Sequence, residues 1–158
     1  MKMPERFDVV LDMPFGRFGL SLVEETISRM EFVAPDMPLA PPQTAFGQEV
    51  AQRLRAWLAA PQQPLELPVQ ICGTPFQRSV WNVISSIPCG QVLTYRAVAD
   101  RLGNVARAVG QACGANRFPL LIPCHRVVAM TGLGGFAHAT DGYRLEAKRW
   151  LLHNEGVL

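Results

Sequence analysis

The sequence predicts an α+β protein, with a small antiparallel sheet and one helix over residues 1–66 and a mainly helical C-terminal domain with a helix-turn-helix and a short apolar strand over residues 67–158. Three observations predict it. Residues 6–33 alternate apolar and polar side chains around two turn signals, three threonines stand where helix N-caps are wanted, and proline-rich segments separate the parts.

Pro14-Phe15-Gly16 and Glu24-Glu25 divide the first segment into three strands of a meander. Pro35 to Pro42 then forms an extended connector. Thr44 caps a helix in which Phe46, Val50, Leu54, Trp57 and Leu58 recur at helical spacing, and Pro61 ends it. Pro61, Pro64 and Pro68 keep residues 61–69 extended, which closes the N-terminal unit. In Thr74-Pro75-Phe76-Gln77, Thr74 is an N-cap, Pro75 the favoured first helical residue and Gln77 the third-position partner of a capping box. That helix runs to about Ile87, where Pro88-Cys89-Gly90 stops it. Gln91-Val92-Leu93 is a short extended piece, and Thr94 caps a compact helix over residues 95–102. Gly103-Asn104 turns the chain into another helix from about Val105 to Ala115, and this pair has the outline of a helix-turn-helix. Leu120-Leu121-Ile122 reads as a buried strand with Pro123-Cys124-His125-Arg126-Val127 at its edge.

At 158 residues the chain is long enough to bury a core without staples. No apolar run approaches the roughly 20 residues that span a bilayer, and the N-terminus lacks the charged-then-apolar layout of a signal peptide, so a cytoplasmic protein with reduced thiols is expected. Cys72, Cys89, Cys113 and Cys124 have neither C-x-x-C nor zinc-ligand spacing, so neither a disulfide framework nor a metal is expected. The net charge of +2 is uneven. Residues 1–73 hold six basic and nine acidic side chains and residues 74–158 nine and four, leaving about −3 and +5. A basic C-terminal half is the electrostatic footprint of a nucleic-acid binder, although surface charge alone commonly produces such an imbalance.

Cys124-His125 places a thiol beside an imidazole. A free cysteine is only a few per cent thiolate at neutral pH, so a nucleophilic one needs a base or cation nearby, and His125 supplies it directly or through a water. A cysteine in an apolar segment is ordinarily inert core, and the surroundings must decide. Upstream, Ala106, Ala108, Gly110, Ala112, Gly114 and Ala115 leave one helix almost without bulk, with Arg107 its only charge. Such a helix packs closely against a neighbour, or it enters a minor groove about 6 Å wide and inserts the arginine into the base stack.

Gly73-Thr74-Pro75-Phe76-Gln77, Thr94-Tyr95, Ala106-Arg107-Ala108-Val109-Gly110, Asn116, Ile122-Pro123-Cys124-His125-Arg126-Val127-Val128 and Lys148-x-Trp150-Leu151-Leu152-x-x-Glu155-Gly156 together resemble the O6-alkylguanine-DNA alkyltransferases, also called methylated-DNA--protein-cysteine methyltransferases. The likeness runs over residues 73–156; residues 1–66 are similar to the family's ribonuclease-H-like N-terminal domain in length and outline only. The resemblance implies that Cys124 is the alkyl acceptor, His125 its base, Glu155 the carboxylate that orients the imidazole, and Asn116 a stitch between the helix-turn-helix and the active-site strand. It implies that Tyr95 donates a hydrogen bond to the departing guanine, that Arg107 replaces a flipped nucleotide, and that Thr94, Ala106, Gly110 and Arg126 join it on DNA. Val127, Phe136 and Ala137 are expected to line the substrate pocket. The implied partner is double-stranded DNA with alkylated bases, with no cofactor, membrane or obligate protein partner, and O4-alkylthymine is a second candidate substrate.

One region departs from the family pattern. A Gly-Tyr-x-Gly-Gly turn is usual before the lysine matched by Lys148, whereas this chain has Gly135-Phe136 and a longer segment through Arg144. The sequence therefore leaves open which alkyl groups are accepted. Two other classes compete with the reading. A non-catalytic alkylated-DNA sensor or helix-turn-helix regulator would not need Cys124, and a cysteine hydrolase would need an oxyanion hole and would turn over repeatedly.

Overall fold

The computed structural model describes residues 6–134 and 142–158. Three strands, β1 (Val9–Met13), β2 (Gly16–Val23) and β3 (Thr26–Val33), form an antiparallel sheet in the order β1-β2-β3. Their turns fall at the two expected signals, since Met13 pairs with Gly16 and Val23 with Thr26. A register shift at Ser21/Leu22 bends β2. Helix α1 (Ala45–Ala59) buries Val50, Leu54, Trp57 and Leu58 on one face, and the Thr44 hydroxyl accepts from the Gly47 amide at 3.0 Å as its cap.

Helix α2 (Pro75–Ser85) begins with the complete capping box: the Gln77 amide donates to Thr74 Oγ1 at 3.1 Å, and Gln77 Oε1 accepts from the Thr74 amide at 3.0 Å. A two-residue strand, β4 (Leu93–Thr94), leads into α3 (Tyr95–Leu102), which Gly103 closes in the left-handed conformation (φ 62°) that a residue without Cβ adopts at least cost. Helix α4 (Ala106–Gly114) follows, and its Ala112 carbonyl accepts from Trp81 Nε1 of α2 at 2.9 Å. After β5 (Val127–Val128), which pairs in parallel with β4, comes α5 (Gly142–Asn154).

One apolar core runs through both parts, from Phe18 and Leu20 of the sheet to Val80, Ile84 and Leu151 of the helices. Phe15 meets Trp150 with ring centroids 6.2 Å apart, the Met30 amide donates to the Arg117 carbonyl at 2.8 Å, and Asn154 Nδ2 donates to the Leu58 carbonyl at 3.0 Å. The sheet therefore braces the segment that carries the thiol.

The strand expected over Leu120–Ile122 does not form. Pro119 and Pro123 remove two ladder donors, Leu120 takes a φ of 77°, and the Ile122 amide turns back to the Phe118 carbonyl at 2.9 Å. The apolar run is a turn with Leu120 and Ile122 buried, and the strand that follows it is β5.

Candidate functional site

The thiol owes its position to two tight turns. Pro123 (φ −80°, ψ 66°) is the centre of an inverse γ-turn in which the Cys124 amide donates to the Ile122 carbonyl at 2.7 Å. A single 3-10 turn, Cys124–Arg126, follows directly. Asn116, just beyond α4, holds both ends of this segment. Its Nδ2 donates to the Ile122 carbonyl at 2.9 Å and to Cys124 Sγ at 3.2 Å, while its Oδ1 accepts from the Phe118 amide at 2.9 Å. The buried sulfur lies at the wall of a cavity of about 960 Å³, opposite residues of β3.

Behind the thiol lies a buried charged cluster. His125 Nε2 is 2.7 Å from Glu155 Oε2, and Arg126 donates from Nε to Glu155 Oε1 at 2.8 Å and from Nη2 to Oε2 at 3.2 Å. Burial pushes the Glu155 carboxyl up, but the hydrogen bonds from His125 and Arg126 outweigh it and leave it below the usual range, so it is a carboxylate. Burial lowers the basicity of His125 despite Glu155, so the imidazole rests neutral. A neutral ring facing a carboxylate through Nε2 carries its proton there. Among the described residues its buried Nδ1 has no hydrogen-bond partner, and it is then the acceptor. Trp57 of α1 packs edge-on against the ring with centroids 6.4 Å apart.

On another side of the thiol, β4 and β5 align Tyr95 with the site. Burial raises the Tyr95 pKa, and the nearby Cys113 and Cys124 sulfurs raise it further, so the phenol keeps its proton and remains a donor. Gly134 (φ 73°) passes so close that a Cβ there would lie 3.0 Å from Tyr95 Cε2. Lys148 of α5 is fully buried, donates to the Val127 carbonyl at 2.7 Å and the Leu133 carbonyl at 2.6 Å, and has its pKa pushed down to about 8 by burial. It ties β5 and the chain just beyond it to α5.

The structure brings together Cys124, His125, Glu155, Asn116 and Tyr95. On α4, Ala106 and Arg107 are exposed and Gly110 half-exposed, and the Thr94 hydroxyl is occupied as the α3 cap by the Ala97 amide at 3.0 Å. Two expectations change. Arg126 does not face a DNA partner, because it is buried and its guanidinium is engaged by Glu155 and by the Ile87 carbonyl at 2.8 Å. Val127 is completely buried, so its side chain belongs to the core while its carbonyl receives Lys148. Phe136 and Ala137 lie outside the described residues. Sequence reasoning missed two features: the Lys148 clamp and the Trp57 contact. Only Lys148 left a sequence signal, as a cation between the apolar positions Ala147 and Leu151. Among the described residues, no group of His, Cys, Asp and Glu is placed to hold a metal, and no helix is long and apolar enough to cross a membrane.

Comparison with known proteins matches residues 75–157 to the family model described as 6-O-methylguanine DNA methyltransferase, DNA binding domain. The methylated-DNA--protein-cysteine methyltransferase of Shigella flexneri is 41% identical over 113 residues, 69% of this chain and 63% of that protein. The bifunctional transcriptional activator/DNA repair enzyme Ada of Escherichia coli is 38% identical over 133 residues, 82% of this chain and 36% of that protein. The match thus spans less than two thirds of either relative's length. In three dimensions the chain is similar to the O6-methylguanine methyltransferase of Mycobacterium tuberculosis, with a TM-score of 0.74 at 28% identity over 92% of this chain and 90% of that one. Against Mycobacterium tuberculosis OGT in complex with DNA the TM-score is 0.76 at 27% identity, over 94% and 92% of the two chains.

Proposed function

Because this chain belongs to the O6-methylguanine-DNA methyltransferase family, we propose that it repairs alkylated DNA directly, moving the alkyl group of O6-alkylguanine onto its own Cys124. The observation that carries the reading is the buried Glu155–His125 hydrogen bond on the residue next to Cys124, with the imidazole neutral, its Nε2 proton directed at the carboxylate and its Nδ1 left as the acceptor. The Cys124 proton passes to Nδ1, directly or across a water, and Glu155 stabilises the imidazolium. The thiolate attacks the alkyl carbon, forming an S–C bond as the C–O6 bond breaks with its electron pair leaving on guanine. Tyr95 donates a hydrogen bond to the departing base, and proton return from His125 leaves neutral guanine. The product thioether has no route back to a thiol without another nucleophile, so each chain acts once.

Alkyl transfer within a duplex requires the base to leave the stack, at a cost of a few kcal/mol that is smaller for a lesion that pairs badly. Exposed Arg107 on the slim α4 would fill the space of the flipped nucleotide, with Ala106 and Gly110 allowing close approach to the minor groove. We read residues 1–66 and 67–158 as two domains, the first bracing the second. O4-alkylthymine presents the same electrophilic carbon and is a second substrate of this reading. A sensor without chemistry would not need a thiol under the Asn116, His125 and Tyr95 groups that surround Cys124. The test is a duplex with one radiolabelled O6-methylguanine: label should move from DNA to protein and stop doing so in Cys124→Ser, which still binds the duplex. Label remaining on DNA with the folded wild-type protein would refute the proposal.

A further inference from the structure

The last turn of α1 meets the His125–Glu155 pair at two neighbouring residues. Trp57 sets its indole against the imidazole, with ring centroids 6.4 Å apart and planes at 73°. One residue on, the Leu58 carbonyl accepts from Asn154 Nδ2 at 3.0 Å, and Asn154 directly precedes Glu155. A helix leaves the carbonyls of its last turn without an intrahelical donor, so this bond uses an acceptor that α1 supplies by ending there. Two consecutive residues of α1 thus hold the ring and the neighbour of the carboxylate at once. We propose that Trp57 is a positioning residue for the alkyl transfer: its indole fixes the plane of the His125 imidazole, and with it the direction in which Nδ1 receives the Cys124 proton.

A single hydrogen bond holds one atom of a ring and leaves the ring free to turn about it. Glu155 Oε2 lies 2.7 Å from Nε2, while Nδ1 has no hydrogen-bond partner among the described residues. The polar contacts therefore fix a point, and the orientation of the plane falls to packing. A flat, stiff indole across the imidazole supplies that packing, whereas an aliphatic side chain has no flat face to offer. Trp57 and His125 are both buried, so the contact also keeps water off that side of the ring. Water there would hydrate the imidazolium and raise the basicity that burial lowers. Glu155 faces the ring from just beyond α5, Arg126 and Lys148 oppose its charge from the 3-10 turn and from α5, and α1 brings the uncharged Trp57. Trp57 acts through His125, since the cavity that Cys124 borders is lined by other residues.

The inference rests on His125 being the base of the transfer, but one of its readouts needs no DNA. Trp57→Phe keeps a flat ring, and Trp57→Leu keeps apolar bulk without one. Val50→Ala, buried on the same face of α1 two turns earlier, is the control for lost stability. For each variant the single-turnover rate at saturating O6-methylguanine duplex, the duplex affinity and the pH titration of the His125 nitrogen NMR signals are measured, the signals being identified by their loss in His125→Gln. Trp57→Leu should slow transfer about tenfold or more, as expected when a base that contributes about a hundredfold or more loses its aim. Its His125 should titrate at higher pH than in the wild type, with duplex affinity unchanged. Trp57→Phe should recover most of the rate, and Val50→Ala should melt lower yet transfer at the wild-type rate. Trp57→Met, more adaptable in shape, repeats the arm if the leucine variant folds poorly. A wild-type rate or an unchanged His125 titration in the folded leucine variant would overturn the proposal, as would equal losses in Trp57→Phe or Val50→Ala. If the wild type accepts no methyl group but the His125 titration still moves in Trp57→Leu and not in Trp57→Phe, the transfer reading fails and the positioning of the ring by Trp57 stands.

Discussion

Behind the Cys124 sulfur, Glu155, His125 and Arg126 are buried and direct their polar atoms at one another, whereas on α4 the side chains of Ala106 and Arg107 stand in solvent. In the first region the low dielectric strengthens each contact and makes an unpaired member costly. In the second, affinity would come from shape and from charge that salt screens. The contrast teaches that the buried cluster is organised within the fold itself, while in the proposed reading the α3–α4 face would become functional only against a duplex. Substitutions in the two regions should therefore fail in different ways.

The largest effect is expected at Glu155. Glu155→Gln removes the charge that stabilises the imidazolium and should slow transfer by about a hundredfold or more, the usual range for losing a positioned base. The rate should recover as pH rises toward the ordinary thiol pKa of about 8.5, because hydroxide then replaces the base. Stopped-flow transfer from O6-methylguanine duplex measures both, and an unchanged rate and pH profile in a folded variant would return His125 to a structural role.

Arg126→Ala separates the regions by another observable. It strips a buried carboxylate of one partner and should cost about 3–5 kcal/mol of stability, read as a lower denaturation midpoint, while leaving the salt dependence of DNA binding unchanged. A salt slope reduced by about one would instead put Arg126 on the phosphates. Arg107→Ala should do the reverse. Surface substitutions of this kind typically change stability by less than about 0.5 kcal/mol, yet repair of duplex should slow about tenfold. Reaction with free O6-benzylguanine, which needs no base flipping, should barely change, and equal losses on both substrates would remove the assignment of Arg107 to flipping.

The smallest effect is a pH dependence of melting. His125 is held neutral in the fold, whereas in the unfolded chain it takes up a proton near the ordinary pKa of about 6.5, so below that pH the unfolded state binds more protons and stability falls. Glu155, with its pKa depressed, adds to the loss as pH drops further through the carboxylate range. Calorimetry from about pH 7 to about pH 5 should show a falling melting temperature, and a shallower fall in His125→Gln; equal slopes would contradict the buried neutral imidazole.

Much of the fold was legible because its signals are local. The Thr74-Pro75-Phe76-Gln77 box, the Thr44 and Thr94 caps, Gly103 and the two sheet turns are each written within four residues, and each forms as read. The core of the site was legible too, as a string of residues whose joint spacing resembles a known family. What local pattern hid was partnership across the chain. Arg126 looks like any basic residue until Glu155, 29 positions later, is placed against it. Cys113 looks like a small helix residue, yet the fold places it on the wall of the same cavity as Cys124. The run Leu120-Leu121-Ile122 has strand composition, but its flanking prolines withhold the donors a strand needs.

The central claim, that the alkyl group ends on Cys124 and each chain acts once, is tested most directly by peptide mass mapping after incubation with excess O6-methylguanine duplex. The account predicts one methyl group per chain, on the peptide carrying Cys124, with guanine restored in a molar amount equal to the protein. Guanine restored beyond that amount, or a methyl group on Cys72, Cys89 or Cys113, would contradict it.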